Sequence, residues 1–404
     1  MILKARAVLT MTEPPIENGA VEIEGNVIKA VGHADEMRAG EILDLGDVVL
    51  MPGLINAHCH LDYSMMRGAI QPQKTFTAWV QRINALKRSL DTADYLAAIE
   101  HGFAECIHWG TTTVCNIESF PELMPHLPEP PIRTWWFYEM IDVRHRITTE
   151  EVVAGALSFF QHRGNTRANF GLSPHAPFTA SERLYRLAND CSQAFAMPLT
   201  THLAESREEF EMFRYARGAL FDFMTGIGRP MTDCGRLTPF QTLWEEGLIN
   251  HRWLLVHMNE LAEEDLAALG EVPRGSAPHL VHCPGSHRYF GHARFPFRRL
   301  HEMGVTLCVG TDSLASTDSL SLLQELRRLR EIDGWLTPEE SLRTVTTNPA
   351  RALGQSHQLG KIAPGAWADL IALPFSGNIA AIHEEIVEFN RPIPWMMIDG
   401  KIRT

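Results

Sequence analysis

The chain reads as an eight-stranded parallel (β/α)8 barrel joined to a small composite β-sandwich that both termini build. Three observations point there. The two ends are β-rich; the middle repeats an apolar run followed by a helical pattern eight times; and histidines and an aspartate cluster at the ends of those runs.

At the N-terminal end, Val21-Glu22-Ile23-Glu24 alternates apolar and polar residues. Gly25-Asn26 then turns the chain into Val27-Ile28-Lys29-Ala30-Val31, and Val48-Val49-Leu50 closes the segment. The C-terminal end repeats this style in Ala368-Asp369-Leu370-Ile371-Ala372-Leu373 and in 395–401, which runs into Gly400. One small domain made of 1–52 and 361–404 follows, with the barrel over 53–360.

Within the barrel the candidate strands are 54–57, 112–116, 133–138, 169–173, 198–202, 253–257, 279–282 and 306–310. Helical patterns fall at 95–108, 181–196, 260–269 and 319–332, the alternation expected of βαβ units. Eight units in roughly 260 residues match a barrel whose site lies at the C-terminal ends of its strands. Pro128-Glu129-Pro130-Pro131 reads as a loop.

Bulk properties narrow the function. The 404 residues carry a net charge of −13, which argues against a nucleic-acid partner because phosphate binding needs a basic footprint. No apolar run approaches the roughly 18 residues of a membrane span, and the first ten residues are too charged for a signal peptide. Seven cysteines without a CxxC pair fit reduced thiols, so the expected compartment is the cytoplasm.

His58-Cys59-His60 directly follows the first barrel strand. Alternate residues of an extended chain point the same way, so both imidazoles can aim into the barrel mouth, a good platform for zinc or iron. In a chain with 19 histidines a lone HxH carries little weight. Its company changes that: His202 closes the fifth strand, His257 the sixth, and Asp312 follows the eighth. Buried imidazoles and carboxylates cost several kcal/mol unless something satisfies them, and a metal does so. Glu205 stands three residues after His202 at the expected start of a helix, one turn along the same face. That placement suits a proton shuttle; Glu208 and Glu209 read as first-turn acids favoured by the helix dipole.

Together these residues resemble the amidohydrolase superfamily, in particular its cytosine-deaminase and chlorohydrolase-like branch, which includes S-adenosylhomocysteine, guanine and aminodeoxyfutalosine deaminases. The resemblance covers essentially the whole chain, from Pro52-Gly53-Leu54-Ile55-Asn56-Ala57-His58-Cys59-His60 through Ser173-Pro174-His175-Ala176-Pro177, His202-Leu203-Ala204-Glu205, Gly310-Thr311-Asp312-Ser313 and Asn348-Pro349-Ala350-Arg351 to Gly360-Lys361-Ile362-Ala363-Pro364-Gly365-Ala366-Trp367-Ala368-Asp369-Leu370. It implies His58, His60, His202 and Asp312 as ligands of one divalent metal ion, zinc with iron as the alternative. It further implies Asp312 as the activator of water, His257 at the developing tetrahedral centre, Glu205 as shuttle and His175 as a substrate-positioning residue. Asn169-Phe170-Gly171-Leu172-Ser173 offers no lysine to bridge two metals, which favours one.

The implied reaction is hydrolytic deamination of an aminopurine nucleoside or related amino-heterocycle, with ammonia released. Dechlorination of a triazine-like ring and a non-catalytic scaffold are the alternatives; intact Glu205, His257 and Asp312 argue against the scaffold. Phe76 and Trp79 could wall a flat ring or sit in a helix core, and Arg67 could face the site or cap its loop. In Pro284-Gly285-Ser286-His287, His287 departs from the Pro-x-Ser-Asn of S-adenosylhomocysteine deaminase relatives and suggests another polar contact to substrate. His162, His251 and His357 read as solvated surface residues. The expected partners are a small-molecule substrate and a second copy in a homodimer.

Overall fold

In the computed structural model, which describes residues 1–37, 40–127, 129–143, 147–161 and 168–403, the two chain ends pair with each other. Strands β1 (Ile2–Val8), β2 (Ile16–Glu24), β3 (Val27–His33), β4 (Ile42–Asp44) and β5 (Val48–Pro52) come from the N-terminal end. The C-terminal end adds β14 (Leu370–Pro374), β15 (Trp395–Ile398) and β16 (Lys401–Arg403). They form one eight-stranded sheet ordered β16-β15-β14-β5-β1-β2-β3, branched where β4 also pairs with β1. The two termini join where β14 lies antiparallel to β5, Ile371 opposite Met51. Both termini thus build one small composite β domain, as expected, and its core (Leu3, Val21, Ile28, Leu50, Ile362, Leu370, Met397) draws on both ends.

The middle of the chain supplies a second sheet of eight parallel strands in sequence order. These are β6 (Leu54–Cys59), β7 (Thr111–Glu118), β8 (Arg133–Met140), β9 (Ala168–Pro174), β10 (Leu199–Leu203), β11 (Trp253–His257), β12 (His279–His282) and β13 (Leu307–Val309). The barrel closes between its last and first strands: the backbone amides of Thr311 and Asp312 both donate to the His58 carbonyl, at 3.1 and 3.2 Å. Gly310 passes so close to this seam that a Cβ there would lie 2.8 Å from His58. Strands such as β7, β8 and β11 are buried along their whole length, as parallel strands covered on both faces must be. Alternate residues divide between two cores: Leu254 and Val256 join Ala57 and Val281, while Trp253 and Leu255 pack in the larger cluster with Leu199 and Tyr185.

Side-chain caps fix the helix starts. Ser181, Ser206 and Ser321 each accept from the backbone N–H three residues on, and Asp91 and Asp94 form a capping box. Two helices, Phe76–Lys87 and Ala219–Gly226, meet over the strand ends, where Phe76, Trp79, Leu220 and Phe223 share one apolar cluster. His251 and His357 are exposed as expected, and His162 and Pro128 lie outside the described residues. Among the described residues no helix is long and apolar enough to cross a membrane, and all seven cysteines are unpaired.

Candidate metal centre and active site

Strand β6 delivers His58 and the residue after it delivers His60, both buried at the barrel mouth. Across the seam, Asp312 Oδ1 lies 3.5 Å from His58 Nε2 and 3.9 Å from His60 Nε2. Asp312 Oδ2 accepts from the Ser316 hydroxyl at 2.9 Å. His202, near the end of β10, donates Nδ1–H to the His175 carbonyl at 2.9 Å, which turns its Nε2 inward to 3.2 Å from His60 Nε2. His257 packs against His202 and His58 with ring centroids 5.5 and 5.7 Å apart. The backbone is itself constrained here: His257 (φ 74°) and Asp312 (φ 59°) take left-handed conformations that side-chain-bearing residues seldom adopt.

These donors fit a cation. Nitrogen ligands about 2.0–2.1 Å from one zinc ion sit about 3.0–3.5 Å from each other, the range in which the innermost of these atoms already lie. His58 Nε2 is buried with no hydrogen-bond partner, an arrangement that is costly unless a ligand fills the space. Among the described residues, His58 with His60 and Asp312, and His58 with His202 and His257, form groups able to hold a metal; Glu139 with His175 and His202 forms a third. Charge states agree. Burial pushes His60 and His257 well down and His202 and His175 to about 3, leaving neutral bases. Burial pushes the Asp312 carboxyl up, but the imidazoles of His58, His257 and His60 beside it outweigh that and hold it well below the usual carboxylate range.

Glu205 reaches the centre by a different route from a helical turn. The helix begins only at Arg207, after the Ser206 cap, so Glu205 belongs to the connection that leaves β10. Ala204 in the left-handed region (φ 48°) swings the chain round, and Glu209 receives the backbone amides of Ala204 and Glu205 at 3.1 and 2.7 Å. Glu205 Oε1 then lies 3.5 Å from His257 Nε2. Burial, with Asp312 nearby, pushes its carboxyl well above the usual range, which favours the protonated form. Glu208 and Glu209 stand in the first turn of that helix as expected, and Glu208 also ties down the neighbouring helix, accepting from Phe76 N and Thr77 N at 2.7 and 3.0 Å.

Over the centre lies a cavity of about 180 Å³ that His60, His202, Glu205, His257 and Asp312 line on one side. Its opposite wall is mostly apolar, with Phe76, Trp79, Phe178, Phe223 and Met224. Phe76 and Trp79 are therefore both wall and helix packing, their rings stacked 6.1 Å apart. His175 also lines it, its Nδ1 held 2.6 Å from Thr179 Oγ1.

Two expectations need correction. Arg67 lines no part of this cavity; it is exposed and paired with Glu105 on the outer side of its loop. His287 is also outside it, bonded to the Ala293 carbonyl at 2.9 Å and packed between His282 and His292. Sequence reasoning missed Glu139 and Lys87, which do line the cavity. Glu139 ends near the tip of the third barrel strand, the kind of position where barrel sites form. Lys87, at the end of a long helix, gave no signal.

Comparison with known proteins fits this geometry. The family model described as "Amidohydrolase family" matches residues 49–403. A 5-methylthioadenosine/S-adenosylhomocysteine deaminase of Pyrococcus furiosus is 30% identical over 382 residues, covering 92% of this chain and 85% of the relative. An aminodeoxyfutalosine deaminase of Deinococcus radiodurans is 30% identical over 353 residues, 83% of this chain and 81% of the relative. The crystal structure of an adenosine deaminase from Xanthomonas campestris with bound zinc superposes with a TM-score of 0.84 at 23% identity, over 99% of this chain and 92% of that one. With a barrel that gathers these histidines and aspartate around one point, and relatives matching along its length, the chain belongs to the amidohydrolase family.

Proposed function

We propose that the protein hydrolyses the C–NH2 bond of an aminopurine nucleoside, releasing ammonia and leaving a carbonyl on the ring. The observation that carries this reading is that Glu205, 3.5 Å from His257, and Asp312, beside the ligand histidines, line one cavity from different strand ends, with burial favouring a proton on Glu205 and the neighbouring imidazoles favouring the ionised Asp312. An acid and a base held apart at one site are what addition of water followed by loss of ammonia requires. The deaminase relatives support the same class.

His58, His60, His202 and Asp312 would hold one divalent ion, zinc by the preference of imidazole and by its presence in the Xanthomonas structure. Such an ion supplies Lewis acidity that brings the pKa of water to about 7. Asp312 takes the proton of the attacking water. Glu205 delivers its proton to the ring nitrogen beside the amino-bearing carbon; its carboxylate then takes the proton of the added hydroxyl as the carbonyl forms, and the proton held by Asp312 passes to the departing amine, which returns both groups to their starting states. His257, fixed against Glu205, holds the oxygen that becomes the carbonyl. His175, with Nδ1 engaged by Thr179, presents Nε2 to the substrate ring. The scattered, unpaired cysteines support a reducing cytoplasm as the compartment.

The test is ammonia release by purified protein from adenosine, 5′-methylthioadenosine, S-adenosylhomocysteine and aminodeoxyfutalosine, with chloride release from a chlorotriazine alongside. Turnover of at least one nucleoside with kcat/KM above about 10⁴ M⁻¹s⁻¹ is expected. Chloride without ammonia would replace deamination by dechlorination.

A further inference from the structure

Two separate pieces of chain face the space above the metal centre. Helix Ala219–Gly226 brings Leu220, Phe223 and Met224 to the cavity, and the turn after β9 brings His175, Phe178 and Thr179. Glycines in the left-handed region bound the helix, Gly218 (φ 102°) before it and Gly228 (φ 84°) beyond it. Arg229 comes next. Its amide donates to the Met224 carbonyl at 3.0 Å, which ties its backbone to the helix end. Its side chain, 4% exposed, crosses to the turn: Nε donates to the Phe178 carbonyl and Nη2 to the Pro177 carbonyl, both at 3.0 Å. Nη1 donates to the Pro230 carbonyl at 2.7 Å, and Nη1 and Nη2 hold the Asp233 carboxylate at 2.8 and 2.6 Å.

A guanidinium carries five N–H donors in one plane, and here each has an acceptor. Apolar packing already joins the two pieces, since Phe178, Leu220 and Met224 share one cluster. Such packing has no direction and lets surfaces slide, whereas a planar fork on two successive carbonyls fixes both distance and angle. The other end of the turn is pinned separately, because the His175 carbonyl receives the amide and the Nδ1–H of His202, each at 2.9 Å. We infer that Arg229 is a positioning residue that locks helix Ala219–Gly226 to the turn at Pro177 and Phe178, and so sets the width of the slot into which the substrate ring fits. The identity of that ring rests on the deaminase reading; the coupling of the two walls does not.

The test measures kcat and KM of the zinc-loaded enzyme for the best of the nucleosides named above, together with amide hydrogen exchange, in the wild type, Arg229→Lys and Asp233→Asn. Arg229→Lys keeps the charge and loses the fork. It is expected to raise KM about tenfold or more, with kcat within about threefold and zinc content that of the wild type. Asp233, 39% exposed, steadies the guanidinium from the solvent side, so Asp233→Asn is expected to fold normally and raise KM about two- to fivefold. Exchange should quicken in 175–180 and 219–227 together and nowhere else, by about tenfold in Arg229→Lys and by less in Asp233→Asn. A KM unmoved in both variants, or exchange that quickens in one segment alone, overturns the inference. So does a general quickening across the barrel with kcat and zinc falling in step, the mark of a merely structural residue. If Arg229→Lys fails to fold, Asp233→Asn decides by the same two readings. Ammonia from none of the nucleosides removes the deaminase reading and leaves the exchange pattern to decide the coupling, whereas ammonia with an unmoved KM removes only the role of Arg229.

Discussion

His257 Nε2 lies 3.5 Å from Glu205 Oε1, an imidazole from the end of one strand meeting a carboxyl from the turn after its neighbour. Both groups are buried, and the pair faces the cavity over the histidine cluster. Replacing Glu205 by Gln keeps the shape and removes the transferable proton. Glu205→Gln is expected to bind zinc like the wild type while kcat falls about 10²- to 10⁴-fold. Steady-state kinetics with metal analysis checks this, and near-normal turnover would take Glu205 out of the mechanism.

His58 Nε2 and His60 Nδ1 are buried without hydrogen-bond partners, so stripping a cation from the centre should be costly. Chelation should abolish turnover and lower Tm; at a thousandfold excess of zinc over its Kd the ion adds about 4 kcal/mol of stability. Re-addition should restore both with close to one zinc per chain. Saturation at two equivalents would show that the group around Glu139 and His175 also binds metal.

His287 bonds within its own loop, to Ala293 O, and lies outside the cavity. His287→Ala is therefore expected to destabilise the fold by about 1–3 kcal/mol, the cost of a lost buried hydrogen bond, while ratios of kcat/KM between substrates stay as they were. Thermal melts and a substrate panel decide between this and a role in selectivity.

Arg133 and Asp369 join the barrel to the terminal sheet. Both are buried, Nε stands 2.8 Å from Oδ2, and the guanidinium stacks 3.8 Å from the centre of the Trp367 ring. Arg133→Met should cost about 3–5 kcal/mol, because it strands a buried carboxylate. Asp369→Leu added to it should recover part of that loss, which denaturant unfolding of the two variants measures.

Much of this was readable in the sequence for a simple reason: a parallel strand covered on both faces is a short apolar run, and the first polar residue beyond it marks the open end of the barrel. Hence 253–257 and 279–282 were placed to the residue, with His257 and His282 at their tips. The terminal sheet was legible as strands but its branching was not, since β1 pairs with β4 and β5 through long-range registers that no local pattern encodes. Glu205 was found for a wrong reason. Helical spacing from His202 suggested it, yet the turn depends on Ala204 in a conformation that alanine rarely takes. Arg67 and His287 misled because their true partners, Glu105 and Ala293, come into view only once the loops are built. Lys87 and Glu139 share a cavity across 52 residues of chain, and only folding brings them together.

The seam at His58 bears on how the molecule comes into being. The carbonyl that receives Thr311 and Asp312 belongs to one candidate ligand, and one of the two donating amides belongs to another. Ring closure and assembly of the cation-binding cradle are therefore a single event, delayed until the last strand docks on the first across some 250 residues, a slow step for a contact so distant in sequence. A nascent or truncated chain ending before Gly310 can hold most of its helices and three of the four donors, but it has no finished cradle. Competence for chemistry thus reports completion of the fold.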